Sequence, residues 1–222
     1  MFWNHWYPLK DAPVPDLQHP VHIDDLQTGD ILLCRNAHSN SWFINIYEMV
    51  IRGVTKSPYS HVAMVVRDPP WVDQKGVYVL ESALESEPDA ESHEHKIGVQ
   101  TTKLSTLADG SCEIRIRKLM KGTISEQQLE EVHDKTKGVP YDSNPTHLVE
   151  AALQIHASEQ RTDNYICSAF LGFMFVQFGF LDADFDWSIS LPAQYSSDSD
   201  ALPWTDTVEY SKDTLLEIQN DE

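Results

Sequence analysis

Among the nucleophiles and bases of this 222-residue chain, Cys167 is the residue best placed to do chemistry. It follows the polar run Thr162-Asp163-Asn164 and sits where the apolar stretch Tyr165–Leu181 opens, in the first turn of an expected helix. Unpaired N–H groups and the helix dipole at that position favour a thiolate, which is the nucleophilic form of cysteine. The same N–H groups suit an oxyanion on a carbonyl substrate. The alternative is an inert thiol packed in the core, where free cysteine is common. Cys34, after the short apolar run Ile31–Leu33, and Cys112, after Gly110-Ser111, read as packing or bystander residues.

A base for such a nucleophile is available in His61, at the start of the β-rich run His61–Val66, where it shares a face with the small Ala63. An imidazole beside a thiol is the activated nucleophile of acyl transfer. Glu81 interrupts the apolar face of the next expected strand, Val77–Ser82. If the two strands pair, Glu81 can accept from the second ring nitrogen, fix the tautomer and stabilise the imidazolium. Each residue also has a plain structural reading, His61 as a satisfied core histidine and Glu81 as a rim carboxylate.

Other chemistries find little support. Glu91, His93, Glu94 and His95 form one acidic, histidine-containing cluster, and His19 and His22 form a second. Neither has the spacing of a structural zinc site, so no metal and no organic cofactor is expected. There is no glycine-rich phosphate loop and no G-x-S-x-G.

Several elements must position these groups. Asp24–Arg35 reads as a turn feeding a strand buried on both faces, with Asp30 capping the turn. Ser41–Arg52 has apolar residues at helical spacing. The runs 61–66 and 77–82, joined by a loop with Pro69, Pro70 and Gly76, predict an antiparallel pair. The segment 85–96 is expected to be an exposed polar loop. The run 113–119 alternates, placing Ile114 and Ile116 inward and Arg115 and Arg117 outward. Ser125 and Gln128 fit a capping box, opening a helix to about Lys137 with Gly138 as its stop. Asn144-Pro145 starts another to about Ser158, and a third runs from near Tyr165 to about Gly179. The last forty or so residues read as irregular, with 196–200 a solvated loop. The order predicts an α+β fold with a mainly antiparallel sheet.

The expected organisation is a proline- and aromatic-rich arm at 1–22, a domain at 23–195 and an acidic extension at 196–222. The arm's Phe2, Trp3, Trp6 and Tyr7 either dock on the domain or offer a contact to a protein partner. With 16 Lys and Arg against 35 Asp and Glu, the formal charge is −19, which argues against nucleic-acid binding and against charge-driven lipid docking. The longest apolar stretch is only about 17 residues, short of the roughly 20 needed to span a bilayer, so no transmembrane segment is expected. Three cysteines, an odd number, argue for free thiols and a reducing compartment. No signal peptide is visible, and the expected location is cytoplasmic, with packaging in a virus particle assembled there as a variant.

Five segments together resemble the circularly permuted NlpC-like cysteine hydrolases, a branch of the papain-like fold that includes YiiX-like and poxvirus virion-associated members. Leu26–Leu33 resembles their Gly-Asp opening strand, and Tyr59–Val65 their histidine strand. Val77–Ser82 resembles the following strand with its acidic residue. Gly138–Asp142 resembles their G-x-P-Y-D element, and Tyr165–Ser168 the Y-x-C-S start of their cysteine helix. The order His, Glu, Cys matches the permuted branch. The resemblance covers roughly residues 24–195 and implies a papain-like antiparallel sheet packed against helices. It implies that Cys167 attacks a carbonyl, His61 acts as base then acid, and Glu81 orients His61. Tyr165, Ser168 and Tyr59 are then expected to line the substrate, and the Cys167 N–H to serve an oxyanion. One departure is Ala169 where relatives often carry an acidic residue, followed by Phe170. That more apolar pocket tilts the expected substrate from a peptide toward a lipid-acyl or other small acyl group. An amide, ester or thioester bond remains open, as does a catalytically inactive binding or particle-structural relative.

Overall fold

The computed structural model describes residues 19–35, 58–84, 87–107, 113–144, 147, 160, 162–199 and 201–217. The expected helix over 41–52, most of that over 145–158, nearly all of the N-terminal arm and Cys112 lie outside the described residues.

The architecture is α+β, built on a seven-stranded and mostly antiparallel sheet. Its strands are β1 (Val21–His22), β2 (Ile31–Arg35), β3 (Tyr59–Arg67), β4 (Val77–Ala83), β5 (Gly98–Lys103), β6 (Glu113–Arg117) and β9 (Thr214–Glu217). They lie in the order β1-β9-β6-β2-β3-β4-β5, and only β1 and β9 run parallel. A small second sheet pairs β7 (Leu119–Lys121) with β8 (Glu209–Tyr210). The helices are the single turn α1 (Leu104–Leu107), α2 (Glu126–Thr136) and α3 (Cys167–Gln177).

The central strands β2 and β3 are buried along almost their whole length, as a continuous apolar run between two covered faces requires. Alternation splits them between two cores. Val62, Met64, Val66 and Leu80 join Phe170, Met174 and other residues of α3 in the larger core. Ala63, Val65, Val79, Ile114 and Ile116 form the smaller core on the opposite side. The helix α3 is apolar all round, and nine of its residues are buried, which is the signature of an element enclosed on every side.

The capping box of α2 is present: Ser125 Oγ accepts from Gln128 N at 3.2 Å, and Ser125 N donates to Gln128 Oε1 at 3.1 Å. Asp30 accepts from Gln27 N at 2.8 Å, as expected for a turn cap. It is also fully buried and holds Lys118 Nζ at 2.5 Å, and burial raises its carboxyl against the pull of that ammonium.

Five expectations are corrected. The C-terminal residues are not irregular throughout, since Glu209–Tyr210 and Thr214–Glu217 are strands; β9 lies between β1 and β6 inside the main sheet. So the segment read as an acidic extension completes the sheet. Strand β5 also went unread, because Gly98–Lys103 carries polar residues on both faces of a buried strand. Arg117 does not face water. It is 2% exposed, with Nε donating to the Ser211 carbonyl at 2.9 Å and a terminal nitrogen to the Tyr195 carbonyl at 3.0 Å. Carbonyl acceptors and the nearby Asp213 carboxylate, at 3.8 Å, make that burial tolerable. Cys34 is disulfide-bonded, so the cysteine count no longer argues for free thiols or for a reducing compartment. No helix among the described residues is long and apolar enough to cross a membrane.

The fifth correction concerns the segment 85–96, which is not simply a solvated loop. Asp89 is 2% exposed; Oδ1 accepts from Thr101 N at 2.9 Å. Its Oδ2 accepts from Ser92 N, Ser92 Oγ and Lys96 Nζ at 2.9, 2.8 and 2.7 Å. These bonds pin the segment to β5. Replacing Asp89 by alanine leaves buried donors without an acceptor and is expected to cost about 2 kcal/mol or more, measured by denaturant unfolding.

Candidate active site

The candidate nucleophile owes its place to the start of α3. Ile166 is the cap residue, with extended backbone (φ −81°, ψ 162°), and no side chain caps the helix. An apolar residue at this position leaves the first-turn N–H groups without a side-chain acceptor, so the positive end of the helix is open at Cys167.

Several bonds hold that helix start. Tyr165 N donates to the Pro140 carbonyl at 3.2 Å, and Asp142 N donates to the Tyr165 carbonyl at 3.0 Å. Ser82 Oγ, on β4, donates to the same Tyr165 carbonyl at 2.8 Å. One residue past the cysteine, Ser168 Oγ donates to the Ser190 carbonyl at 2.7 Å, and Tyr195 Oη donates to the Ser168 carbonyl at 2.9 Å. Tyr195 reaches that carbonyl across Gly172, where a Cβ would lie 2.7 Å from its hydroxyl.

His61 is brought to Cys167 from β3. The β2–β3 register runs Cys34↔His61 and then Arg35↔Tyr59, so Ser60 is an extra, unpaired residue immediately before the histidine. A bulge of this kind re-aims neighbouring side chains, which is a common device beside functional groups. His61 Nε2 lies 2.7 Å from Glu81 Oε2. The Cys167 side chain acts on the same ring and helps to raise it. With Nε2 on the carboxylate, Nδ1 is the nitrogen left for the thiol.

The electrostatics follow from that geometry. Burial alone pushes the His61 imidazole down, but hydrogen bonds to Cys167 and Glu81 and their charges outweigh it, lifting it to about 10. Burial pushes the Glu81 carboxyl up, but His61, Thr102 and Gln100 outweigh it and hold it below the usual carboxylate range. The stabilising contribution of His61 is therefore present at and below pH 6.5 and is lost as pH rises through about 10. That of Glu81 is present above the ordinary glutamate range and is lost as pH falls through its lowered value. The difference in unfolding free energy between the wild type and His61→Gln is expected to narrow between pH 6.5 and 10, as read by urea titrations across that range.

The three residues expected to line the substrate are all buried. Tyr59 is 3% exposed and donates to Asp213 Oδ2 at 2.9 Å. Ser168 is fully buried on the Ser190 carbonyl, and the Tyr165 ring packs among Phe170, Phe173 and Trp187. Cys167 itself is 3% exposed, whereas the His61 side chain is 24% exposed, so the described part of the site opens on the imidazole side.

The acidic, histidine-containing cluster is dispersed. Glu91 pairs with His133 at 3.1 Å and Lys137 at 3.2 Å, and His93, Glu94 and His95 are exposed. Among the described residues no group of three or more His, Cys, Asp or Glu is arranged to hold a metal ion.

Sequence reading missed Gln100 and Thr102, the two β5 side chains that bind Glu81. The β-branched run Thr101-Thr102 after Gly98 was the available signal for that strand.

No family model matches the chain, and no curated protein does. Among solved structures it is similar to the crystal structure of the metalloprotein yiiX from Escherichia coli O157:H7. The identity is 20%, covering 84% of this chain and 88% of that one, with a TM-score of 0.40.

Proposed function

We propose that this chain is a cysteine hydrolase or acyltransferase of the permuted NlpC-like, papain-fold type. The observation that carries the reading is the His61 imidazole, bonded to Glu81 at 2.7 Å and raised by both Cys167 and Glu81. Three chain segments far apart in sequence supply the three groups. Their order, histidine then glutamate then cysteine, is that of the permuted branch.

In this reading the Cys167 thiolate attacks the carbonyl carbon, forming a C–S bond and moving an electron pair onto the carbonyl oxygen. The open N–H groups at the start of α3 stabilise that oxyanion. His61 Nδ1 gives its proton to the leaving nitrogen, oxygen or sulfur as the scissile bond breaks. Water, or an acceptor alcohol or amine, then attacks the acyl-enzyme while His61 takes its proton, and the C–S bond breaks to restore the thiolate. Glu81 keeps the ring oriented and balances the imidazolium charge. Ala169, where relatives often carry an acidic residue, and the apolar Phe170 after it tilt the proposed substrate toward a lipid-acyl or other small acyl group.

The test is turnover of a panel of activated acyl esters, thioesters and amides of varied chain length, with peptide mass spectrometry on the quenched enzyme. An acyl adduct on Cys167, absent from Cys167→Ala along with turnover, supports the reading. The 3% exposure of Cys167 favours a second reading, a catalytically inactive relative acting as a binding protein. That reading predicts no adduct and no turnover with any member of the panel.

A further inference from the structure

We propose that Thr102 and Gln100 are positioning residues that hold Glu81 as a carboxylate and so decide which nitrogen of His61 carries the hydrogen when the ring is neutral. The inference rests on the catalytic reading of Cys167, His61 and Glu81. Thr102 Oγ1 donates to Glu81 Oε1 at 2.7 Å, and Gln100 Nε2 donates to the same oxygen at 3.2 Å. Gln100 Nε2 also donates to Thr102 Oγ1 at 3.2 Å. With one lone pair engaged by Gln100, the Thr102 hydroxyl has its single proton directed at the carboxylate. A chain of this kind polarises each bond in turn and strengthens the last one.

The burial of the three side chains gives this weight. Glu81 is 2% exposed, Gln100 3% and Thr102 fully buried. Among the described residues Gln100 Oε1 has no hydrogen-bond partner although it is buried. Turning the amide over would bring that oxygen against the carboxylate, acceptor to acceptor, so the amide accepts an orphan oxygen in order to donate toward Glu81. Tolerating an unsatisfied buried atom is unusual in a native fold, and here it serves the charge on one carboxylate.

The consequence reaches Cys167 through the tautomer. An ionised carboxylate only accepts, so His61 Nε2 must carry its hydrogen and Nδ1 is free to take a proton from the thiol. A protonated Glu81 would donate to Nε2, and a neutral ring would then carry its hydrogen on Nδ1, facing the thiol with nothing to accept. The titratable group against Glu81 is His61 from β3, with Cys167 of α3 beyond it; β5 contributes only the neutral Thr102 and Gln100.

The test is a carbon-13 titration of glutamate side-chain carboxyls in the whole chain, with the Glu81 signal assigned by its loss in Glu81→Gln. Thr102→Val is expected to raise the Glu81 midpoint by about one pH unit, and Thr102→Ser to restore it. The acid limb of Cys167 alkylation is expected to rise with it, a change that a merely structural role for Thr102 would not produce. A folded Thr102→Val with Glu81 at the wild-type midpoint overturns the inference. If Thr102→Val does not fold, Gln100→Met removes the other donor and must raise the same midpoint; an unmoved midpoint there overturns the inference equally. Should wild-type Cys167 alkylate like a free thiol, the catalytic reading fails, while the carboxyl titration still reports on the clamp.

Discussion

In His61→Ala, alkylation of Cys167 by iodoacetamide is expected to lose its acid-range activity and to follow a free thiol, with a midpoint of about 8.5. The wild type is expected to react already in the acid range, because the imidazolium beside the sulfur stabilises its anion. The midpoint is the quantity to read, because a thiolate of higher basicity is also the stronger nucleophile and the plateau rate of the variant can exceed that of the wild type. Peptide mass spectrometry separates Cys167 from Cys34, which is disulfide-bonded and therefore not alkylated unless reduced. Turnover of any acyl substrate is expected to fall about 100-fold or more, the ordinary worth of a general base. An unchanged alkylation midpoint would contradict the thiolate–imidazolium pair.

The largest expected effect on stability comes from Gly98→Ala. Gly98 has φ +137°, a conformation that a side chain rarely adopts, and the three nearest atoms a Cβ there would meet are all backbone. It would run into the Val139 carbonyl oxygen and lie 2.8 Å from Pro140 Cα. Neither neighbour is a flexible side chain that can swing away. Val139 is further fixed because its carbonyl accepts from Val99 N at 2.9 Å. The substitution therefore has to part β5 from residues 139–140, at a cost of about 3 kcal/mol or more. The damage also reaches the nucleophile, since the Pro140 carbonyl accepts from Tyr165 N, two residues before Cys167. Denaturant unfolding reads the first effect and the alkylation profile of Cys167 the second. Wild-type stability in Gly98→Ala would contradict this account of the crossing.

The parts of the fold that were legible in the sequence are those where local chemistry and burial agree. The capping box at Ser125 opened α2, the polar run before Tyr165 located the start of α3, and short β-branched runs identified β3 and β4. The pairing of those two strands then made a contact between His61 and Glu81 readable in advance, and the structure places them at 2.7 Å. What was illegible depends on distant partners. Arg117 looks like the wet face of an alternating strand, and only the Ser211 and Tyr195 carbonyls make its burial tolerable. Strand β9 is four residues long and gains its place from pairing with β1, near the other end of the chain, and with β6, about a hundred residues before it. Tyr59 looks like an aromatic beside the histidine, yet Asp213, 154 residues away, claims its hydroxyl. The Ser60 bulge that precedes His61 likewise has no local signature.

The charge state of His61 at neutral pH tests the central claim most directly. Nitrogen-15 spectra of the labelled imidazoles, assigned by loss of one signal in His61→Gln, report protonation at each ring nitrogen. The account predicts a His61 ring protonated on both nitrogens at pH 7 and titrating only toward pH 10, held up by Cys167 and Glu81. In Cys167→Ala that midpoint is expected to fall, because one of the two supporting groups is gone. A neutral His61 at pH 7 that titrates near 6.5 in both proteins would contradict the account, leaving Cys167 a buried core thiol and the site without a nucleophile.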